Sequence, residues 1–568
     1  MTAGKMKKLI DVATGRVKAD EVIKNATILD VFNGGWMRGD VAVCGDRIAG
    51  IGRYSGKRET DGEGKYVIPS MYDAHLHFES VMVRPSEYLK IAVPKGVTAF
   101  NADPHEIANV LGEKGVRFMK EDVRGIPVDV NFMMPSCVPA APEDHSGCVL
   151  DAAAVRRISR AVGAYGLGEM MNYPGVIGCD PDVLAKIASA RIVDGHAPSL
   201  SGAELNAYAA CGVLTDHECE SVEEAREKVS RGMYVLIRGG SQTKNLRTLI
   251  RAVDKTNLRR FLFCTDDRNI EDLVSLGTIG NCVRLAVECG MSPADALTIA
   301  TLNAYEAYGM ARRGAIAPGY YADMLLCGDE IAGEVLRVYH HGRAIAENGR
   351  PLFRAGGADT SGVRGTVHIK EATPESLELR FEPGMPVMRV FPDSVVTKAE
   401  YPESAEGLDL MCCIERHDAS GEIGKCFVRG FGMKNCAVAQ TVGHDSHNIT
   451  VLGDNTSDMA LAVNSLGADG GLVLVKEGRV TGKLPLEIGG LMTDAPAEKA
   501  LEVRKALRAA LDETEHDRRI EPFMLLSFLT LIVIPEVKLN TKGLFDVSNW
   551  KYLSLIHISE PTRLQLIS

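Results

Sequence analysis

Residues 73–80 read DAHLHFES and follow the largely apolar stretch YVIPSMY at 66–72. His75 and His77 are two residues apart, and residues i and i+2 of a strand project from the same face. Two imidazoles on one face can bind one metal ion. The pair alone is equally typical of two polar residues at the end of a strand, because the pattern is short. The rest of the chain has to decide between these interpretations.

The bulk composition is that of a globular protein with several domains. The chain has 568 residues, of which 45% are hydrophobic and 24% are charged, and a chain of this length typically forms roughly two to four domains. Its formal net charge of −11 argues against binding to a nucleic-acid backbone, which requires a basic surface. A nucleobase carries no phosphate, so the charge does not exclude it as a substrate.

Cysteine usage and hydropathy predict a cytoplasmic protein without a membrane partner. The 14 cysteines form no CxxC pair or regular framework, which favours a reduced compartment. The first residues, MTAGKMKKLIDVATGRV, lack the apolar core of a signal peptide. The longest apolar run, FMLLSFLTLIVIP at 523–535, is shorter than the ~20 residues of a spanning helix. We therefore expect it to be a buried core segment.

The order of predicted elements indicates an α/β protein built around a (β/α)8, TIM-like barrel. Short apolar strands alternate with helical stretches about eight times, which places the barrel at 69–310. The β-rich flanks at 1–68 and 311–360 are expected to form one small β-sandwich domain. Residues 361–548 predict an additional C-terminal α/β domain. Residues 549–568 fit no preceding pattern and are interpreted as a foreign or disordered tail.

Ligand-type side chains follow the predicted barrel strands, where a barrel of this kind carries its chemistry. Each histidine alone is more often structural than a ligand, but six such residues in barrel order reverse those odds. The predicted ligands are His75, His77, Glu169, His196, His217 and Asp266. We expect two divalent metal ions, one held by the first histidine pair and the other by the second. A carboxylate bridges them, and the aspartate contacts one metal while facing the substrate.

Several longer stretches resemble a known family. They include DAHLHFESVM from residue 73, ADPHEIANVLG from 102, GLGEMMNYPGVIG from 166, DGHAPSLSGAELNAYAACGV from 194 and TVGHDSHNITVLG from 441. Over roughly residues 20–547 the chain resembles the adenine deaminases of the amidohydrolase superfamily. Many superfamily members bridge their metals with a carbamylated lysine. The resemblance places a glutamate, Glu169, at that position instead.

The resemblance implies hydrolytic deamination of adenine to hypoxanthine and ammonia in purine salvage. Metal ions would lower the pKa of a shared water so that hydroxide exists near neutral pH. Asp266 would take the proton of that water and return it to the leaving amino group. Glu218 would hydrogen-bond or protonate a ring nitrogen, or alternatively would hold a histidine ligand. Ligand type and resemblance favour Mn(II) or Fe(II), with Zn(II) as an alternative, and a homodimer is expected.

Three further side chains are assigned to substrate binding together with Glu218. Arg238 and Ser241 end the stretch MYVLIRGGS, and Asp267 follows Asp266. They are placed to contact the purine edge. An arginine at a strand end is equally typical of a structural ion pair, so that alternative stays open.

Two segments are dense in ligand-type residues beyond the six predicted ligands. Asp103 and His105 lie in DPHE, and His444, Asp445 and His447 lie in HDSH. We expect them to meet at the barrel mouth, where they would bind an extra metal or cap the pocket. The alternative is a hydrogen-bonded interface between domains.

The chain departs from the family pattern at two places. It reads IRGGS at 237–241 where the family has IREGS, and GTIG at 277–280 where the family has GHID. None of the six predicted ligands is affected, but Gly239 and Thr278 replace polar groups. The alternative function is therefore a related amidohydrolase that acts on another amino-purine or cyclic amide. A metal-stabilised binding or assembly protein is a third hypothesis, and the intact ligand set argues against it.

Overall fold

The computed structural model of the chain describes residues 1–241, 244–392 and 394–554. The chain divides into two compact units. The first comprises 1–105, 116–137 and 150–359, and the second comprises 106–115, 138–149 and the described residues from 360 onward. The short segments 106–115 and 138–149, which the sequence placed within the barrel, thus belong to the second unit.

The strands of the first unit are β1 (Ala19–Asp30), β2 (Gly35–Cys44), β3 (Arg47–Gly52), β4 (Gly56–Asp61), β5 (Tyr66–Pro69), β6 (Met71–Leu76), β7 (Val97–Ala102), β8 (Asp129–Met134), β9 (Gly166–Met170), β10 (Val193–Gly195), β11 (Thr215–Asp216), β12 (Tyr234–Arg238), β13 (Phe261–Cys264), β14 (Met324–Cys327), β15 (Val335–His340), β16 (Arg343–Glu347) and β17 (Arg350–Pro351). The strands of the second unit are β18 (Val387–Arg389), β19 (Lys398–Glu400), β20 (Leu408–Ile414), β21 (Ile423–Arg429), β22 (Cys436–Gln440), β23 (Ile449–Gly453), β24 (Gly471–Lys476), β25 (Arg479–Pro485), β26 (Val537–Asn540), β27 (Gly543–Asp546) and β28 (Lys551–Tyr552).

The α-helices, in chain order, are α1 (Ala3–Ala13), α2 (Pro85–Ala92), α3 (His105–Leu111), α4 (Glu113–Asp122), α5 (Ala152–Val162), α6 (Tyr173–Ile177), α7 (Pro181–Ile187), α8 (Gly202–Ala210), α9 (Val222–Ser230), α10 (Leu246–Leu249), α11 (Ile270–Ser275), α12 (Ile279–Glu288), α13 (Pro293–Thr298), α14 (Ala304–Ala307), α15 (Pro374–Leu377), α16 (Thr456–Leu466), α17 (Ala497–Asp512) and α18 (Pro522–Phe528).

Parallel strands form the centre of the first unit. Strands β6 to β10 pair in chain order in one five-stranded sheet, and β11 to β13 pair in a three-stranded sheet. The backbone N–H of Leu214 donates to the carbonyl of Val193 at 2.8 Å, and that of Asp266 donates to the carbonyl of His75 at 3.0 Å. Because the strands run in one direction, their carboxyl ends, and the polar residues that follow them, lie at one edge.

Both flanks of the parallel strands together build a separate, nine-stranded sheet in the first unit. Its order is β17-β16-β15-β14-β5-β1-β2-β3, with β4 paired to β1. The central pairing is antiparallel between β5 and β14, with Pro69 opposite Met324 and Tyr66 opposite Cys327. The sequence predicted a small β-sandwich from these flanks, and in the structure hydrogen bonds join their strands into one sheet.

The second unit contains an eight-stranded, mostly antiparallel sheet in the order β19-β18-β21-β20-β23-β22-β24-β25. Helix α16 packs Met459 and Val463 against this sheet, beside Val451 and Val473. Helix α18 begins the apolar run at 523–535, and its Leu526 is fully buried. Within the part of the chain that the structure describes, no helix is long and apolar enough to cross a membrane.

A three-stranded sheet ends the described part of the second unit. Strands β26, β27 and β28 pair antiparallel, with Asp546 opposite Lys551 and Phe545 opposite Tyr552. The first residues of the predicted tail therefore pair with the sheet. The remainder of that predicted tail, 555–568, lies outside the described residues.

A lysine in β26 should make stability depend on pH. Lys538 is fully buried, its Nζ donates to the carbonyl of Val395 at 2.6 Å, and burial lowers its pKa to about 7. Below that pH both the folded and unfolded chains carry the proton, so the full cost of burying the charge is present. Above the ordinary lysine pKa of about 10.5 neither carries it, and the cost disappears.

We therefore expect Lys538→Met to raise the free energy of unfolding at pH 6 by about 2–5 kcal/mol. The gain should shrink as the pH rises from 7 and vanish near 10.5. Urea unfolding followed by circular dichroism across this range checks it. Lys505→Met, at an exposed position of α17, is the matched control. A gain in unfolding free energy that does not change with pH would contradict a lowered pKa of Lys538 in the folded protein.

Candidate metal centre

The Glu169 carboxylate, at the end of β9, lies between two pairs of imidazoles. Its Oε1 is 3.3 Å from Nε2 of His77 and 3.6 Å from Nε2 of His75. Its Oε2 is 2.6 Å from Nδ1 of His196 and 3.3 Å from Nε2 of His217. Each oxygen thus faces one predicted histidine pair, which is the placement that a bridging ligand requires.

Asp266 completes the group on the side of the first histidine pair. Its Oδ1 lies 3.4 Å from Nε2 of His77 and 3.7 Å from Nε2 of His75, and the two Nε2 atoms are 3.1 Å apart. With metal–ligand bonds of about 2.0–2.2 Å, adjacent ligands of a tetrahedral or octahedral ion lie roughly 3–3.5 Å apart. The spacing and chemistry of these donors therefore fit a metal ion, and the structure brings all six predicted ligands together.

Backbone and carboxylate contacts fix the orientation of the first pair. Nδ1 of His77 lies 2.9 Å from the carbonyl of Asp103, so a proton on Nδ1 leaves the Nε2 lone pair for a metal. The Asp103 carboxylate accepts the backbone N–H of Glu169 at 2.9 Å. Asp73 likewise accepts the backbone N–H of Thr265 at 2.9 Å, next to Asp266. These bonds tie the segment after β7 to β9, and β6 to the segment after β13.

The electrostatics of the group attract cations. Burial alone would raise the pKa of Glu169, but His217, His196 and His77 outweigh it and hold that pKa well below its ordinary value. Burial would lower the pKa of His217, yet the carboxylates of Glu169 and Asp266 raise it to about 9. A buried anionic centre of this kind is stabilised by protons or, equally, by divalent ions.

A buried lysine, which the sequence reasoning missed, supports the second histidine pair. Nζ of Lys228 donates to Asp216 at 2.9 Å, to Glu224 at 2.8 Å and to the carbonyl of Ala197 at 2.7 Å. The other oxygen of Asp216 accepts the Ala197 N–H at 2.8 Å. Asp216 precedes His217 and Ala197 follows His196, so one ion pair ties both ligand segments together. The sequence offers one signal for this contact, the acid Asp216 directly before the predicted ligand His217. Its partner Lys228 lies on a separate helix, α9, so the sequence alone does not pair them.

Arg238 forms ion pairs in the structure. The sequence left two alternatives for this residue, a contact with the purine edge and a structural ion pair. Its side chain is 2% exposed. Nη1 donates to Glu218 and also to Oδ2 of Asp266, the latter at 3.1 Å. Nη2 donates to Glu220 at 3.1 Å. Burial opposes its charge, but these three carboxylates raise its pKa further above the ordinary value. Glu218 also lies 3.4 Å from Nε2 of His217. A contact of Arg238 or Glu218 with substrate stays a prediction.

Ser241 and Asp267 make contacts within the loops that follow the strands. The Ser241 hydroxyl donates to Asp272 at 2.7 Å and accepts the backbone N–H of Asn269 at 3.0 Å. Asp267 accepts a hydrogen bond from the hydroxyl of Ser80. These bonds position the loops, and the predicted substrate contacts of both residues remain untested.

The first of the two other ligand-rich segments is divided between the units: Asp103 and His105 belong to the first unit, and Glu106 belongs to the second unit together with the HDSH segment. In the first unit, Nδ1 of His105 lies 3.4 Å from Oε1 of Glu169 and 3.8 Å from Oδ1 of Asp103. It is a fifth imidazole beside the Glu169 carboxylate. Its role as an extra ligand stays a prediction.

In the second unit, Glu106 lies between two imidazoles, and the sequence reasoning did not select it. Its carboxylate is 2.6 Å from Nδ1 of His444 and contacts Nε2 of His447, while Asp445 lies 3.9 Å from His444. Nδ1 of His447 accepts the backbone N–H of Gly443 at 3.3 Å, so in the neutral ring the proton is on Nε2, the nitrogen that contacts Glu106. The extra-metal and pocket-cap assignments of these residues stay predictions.

The departures from the family pattern lie against helix α12. A Cβ added at Gly239 would meet Sγ of Cys282 at 2.3 Å, and one added at Gly280 would lie 3.6 Å from Cε of Met71. Thr278 is buried at the start of α12. The Cα–Cβ direction at Gly239 thus points toward the helix layer, and its nearest neighbours are not the six predicted ligands.

A parallel-strand edge that gathers two imidazole pairs and an aspartate around one carboxylate is the site of a metal-dependent hydrolase of the amidohydrolase class. The amidohydrolase family model matches residues 66–345, and that of the adenine deaminase C-terminal domain matches residues 392–551. Adenine deaminases of Nitratidesulfovibrio vulgaris (strain DP4), Clostridium acetobutylicum and Bacillus pumilus are 43%, 42% and 41% identical to the chain, each over 96% of it and over 98%, 99% and 98% of their own lengths. The chain belongs to the adenine deaminase family.

Lys228→Met should destabilise the first unit, because it leaves Asp216 buried without its cation. We expect a loss of about 3–5 kcal/mol in the free energy of unfolding and fewer bound metal equivalents. Adding Asp216→Asn to this variant removes the uncompensated charge and should recover part of the loss. Urea unfolding and metal analysis measure both. An unchanged unfolding midpoint would contradict a stabilising role for the buried Lys228–Asp216 ion pair.

Gly239→Ala should lower the free energy of unfolding by about 1–3 kcal/mol through overlap with Cys282. Metal content should stay unchanged, since the new methyl points toward α12. Combining it with Cys282→Ala removes the overlapping sulfur, so the double variant should unfold like Cys282→Ala alone. If the losses of unfolding free energy from the two single substitutions add in the double variant, the overlap with Cys282 is not what destabilises Gly239→Ala.

Proposed function

We propose that this chain hydrolyses adenine to hypoxanthine and ammonia in purine salvage. The observation that carries the proposal is the Glu169 carboxylate, with one oxygen facing each of two imidazole pairs. Membership of the adenine deaminase family over nearly the whole chain supports the substrate. The overall reaction consumes one water, which replaces the exocyclic amino group at C6 of the purine.

Two divalent ions are the cofactors of this proposal. His75, His77 and Asp266 would hold one, His196 and His217 the other, and Glu169 both. When bound, such ions lower the pKa of water so that a nucleophile is available near neutral pH. A mixed set of imidazoles and carboxylates suits Mn(II) or Fe(II), with Zn(II) as the alternative.

The chain's own carboxylates move the protons. Asp266 accepts a proton from the attacking water and returns it to the amino group, which leaves as ammonia. As C6 becomes tetrahedral, the adjacent ring nitrogen gains electron density. Glu218 takes up a proton from solvent and donates that proton or a hydrogen bond to this nitrogen, and the second proton of the water returns to solvent as the C6 carbonyl forms. Glu218 is suited to this role because it is next to His217 and its side chain is 16% exposed.

The proposal extends to architecture and setting. The eight parallel strands β6 to β13 form one barrel. Backbone hydrogen bonds between β10 and Leu214, just before β11, and between β6 and Asp266, two residues after β13, support this closure. The flanking sheet and the second unit are further domains. The protein works in the cytoplasm as a homodimer, without a nucleic-acid or membrane partner.

The first test is adenine turnover by manganese-loaded protein, followed as loss of adenine absorbance, with Asp266→Asn beside it. We expect metal-dependent turnover that falls about 10³-fold or more in the variant, because the amide cannot carry the proton. Asp512→Asn, at the exposed end of α17, should turn over adenine normally. Absence of turnover by protein holding two metals per chain would contradict the proposal and favour another amino-purine or a cyclic amide as substrate.

A further inference from the structure

We propose that Arg238 is a positioning residue for the deamination: its guanidinium holds Asp266 and Glu218 in their working orientations instead of contacting the purine. This inference rests on the proposed function, since it assigns a part in that reaction. It replaces the expectation that Arg238 binds the purine edge.

The guanidinium lies between the two carboxylates that move protons in the proposed reaction. Arg238 ends β12, Glu218 follows β11, and Asp266 follows β13. Nη1 donates to Glu218 and, at 3.1 Å, to Oδ2 of Asp266. Both hydrogens of Nη1 are therefore used by residues of neighbouring strands. Nη2 adds a bond of 3.1 Å to Glu220.

The bond to Asp266 fixes which oxygen faces the imidazoles. Oδ1 lies 3.4 Å from Nε2 of His77, while Oδ2 is taken by Arg238. A carboxylate held through both oxygens has one orientation, and a misplacement of about 1 Å at a reacting group can cost about 10²-fold in rate. Without the arginine, Oδ2 loses its donor and the carboxylate is free to turn.

The guanidinium also lies between two carboxylates of like charge, of which Asp266 is buried and Glu218 is partly buried. Its side chain is 2% exposed, that of Asp266 is 7% exposed and that of Glu218 is 16% exposed. Removing the cation between them leaves two carboxylates to repel each other in a poorly solvated site. A lysine would carry the charge but lacks the planar fork that reaches several acceptors at once.

The Nε group of Arg238 is the observation that favours the alternative, a contact between Arg238 and the purine edge. It is buried and makes no hydrogen bond among the described residues. A contact between this N–H and adenine would contribute to substrate binding, whereas positioning acts on the rate of the bound complex. The two roles therefore predict different kinetic constants.

The experiment compares Arg238→Ala and Arg238→Lys in manganese-loaded protein. We expect kcat to fall about 10²–10³-fold in both, KM for adenine to stay within about threefold and two metals to remain bound per chain. Guanidinium ions at non-denaturing concentration should raise kcat of Arg238→Ala several-fold and leave Arg238→Lys unchanged. Arg247→Ala, at an arginine 61% exposed, is the control and should behave as wild type.

A second readout does not depend on adenine. In cobalt-substituted protein, the visible spectrum should shift in Arg238→Ala, because Asp266 turns, and guanidinium should reverse the shift. A KM raised tenfold or more at unchanged kcat would overturn the proposal in favour of a purine contact. An unshifted cobalt spectrum, or loss of metal without rescue, would overturn it too. Wild-type protein inactive on adenine contradicts the proposed function, while the spectrum still tests the positioning.

Discussion

A buried carboxylate that needs cations around it is the constraint on which the first unit depends. Glu169 ends a strand in a place with almost no solvent, so its charge has to be balanced by neighbouring side chains or by bound ions. The neighbouring strand ends supply imidazoles on both sides. Two further buried cations, Lys228 and Arg238, do not face Glu169 itself. They balance the acids beside it and so keep the ligand segments from spreading apart.

The parts of the site that follow from chain direction could be predicted from the sequence. His75 and His77 share a face through the two-residue period of a strand, and parallel strands collect their carboxyl ends at one edge. The six predicted ligands therefore lie together although almost 200 residues separate the first from the last. Alternating strands and helices likewise indicated the parallel sheet. These rules need no knowledge of side-chain packing.

The parts that depend on tertiary contacts could not be predicted. Lys228 lies on an ordinary charged helix, and only the fold shows that its ammonium group reaches Asp216. Glu106 adjoins the selected His105, but its partners His444 and His447 are more than 300 residues further along. The placement of 106–115 and 138–149 in the second unit has no local signal either. At Gly239 the sequence showed a missing glutamate, and only the structure showed a cysteine sulfur filling the space.

The pairing of β5 with β14 has a consequence for synthesis of the chain. Tyr66–Pro69 can only find Met324–Cys327 once that second segment has left the ribosome. At roughly 5–20 residues per second, the intervening stretch takes on the order of 13–50 s to translate. During that time the nascent sheet exposes an unpaired edge of apolar residues, the kind of edge that invites association with other chains. Pairing with β14 covers this edge of β5, so the exposure ends only when the second flank has been synthesised.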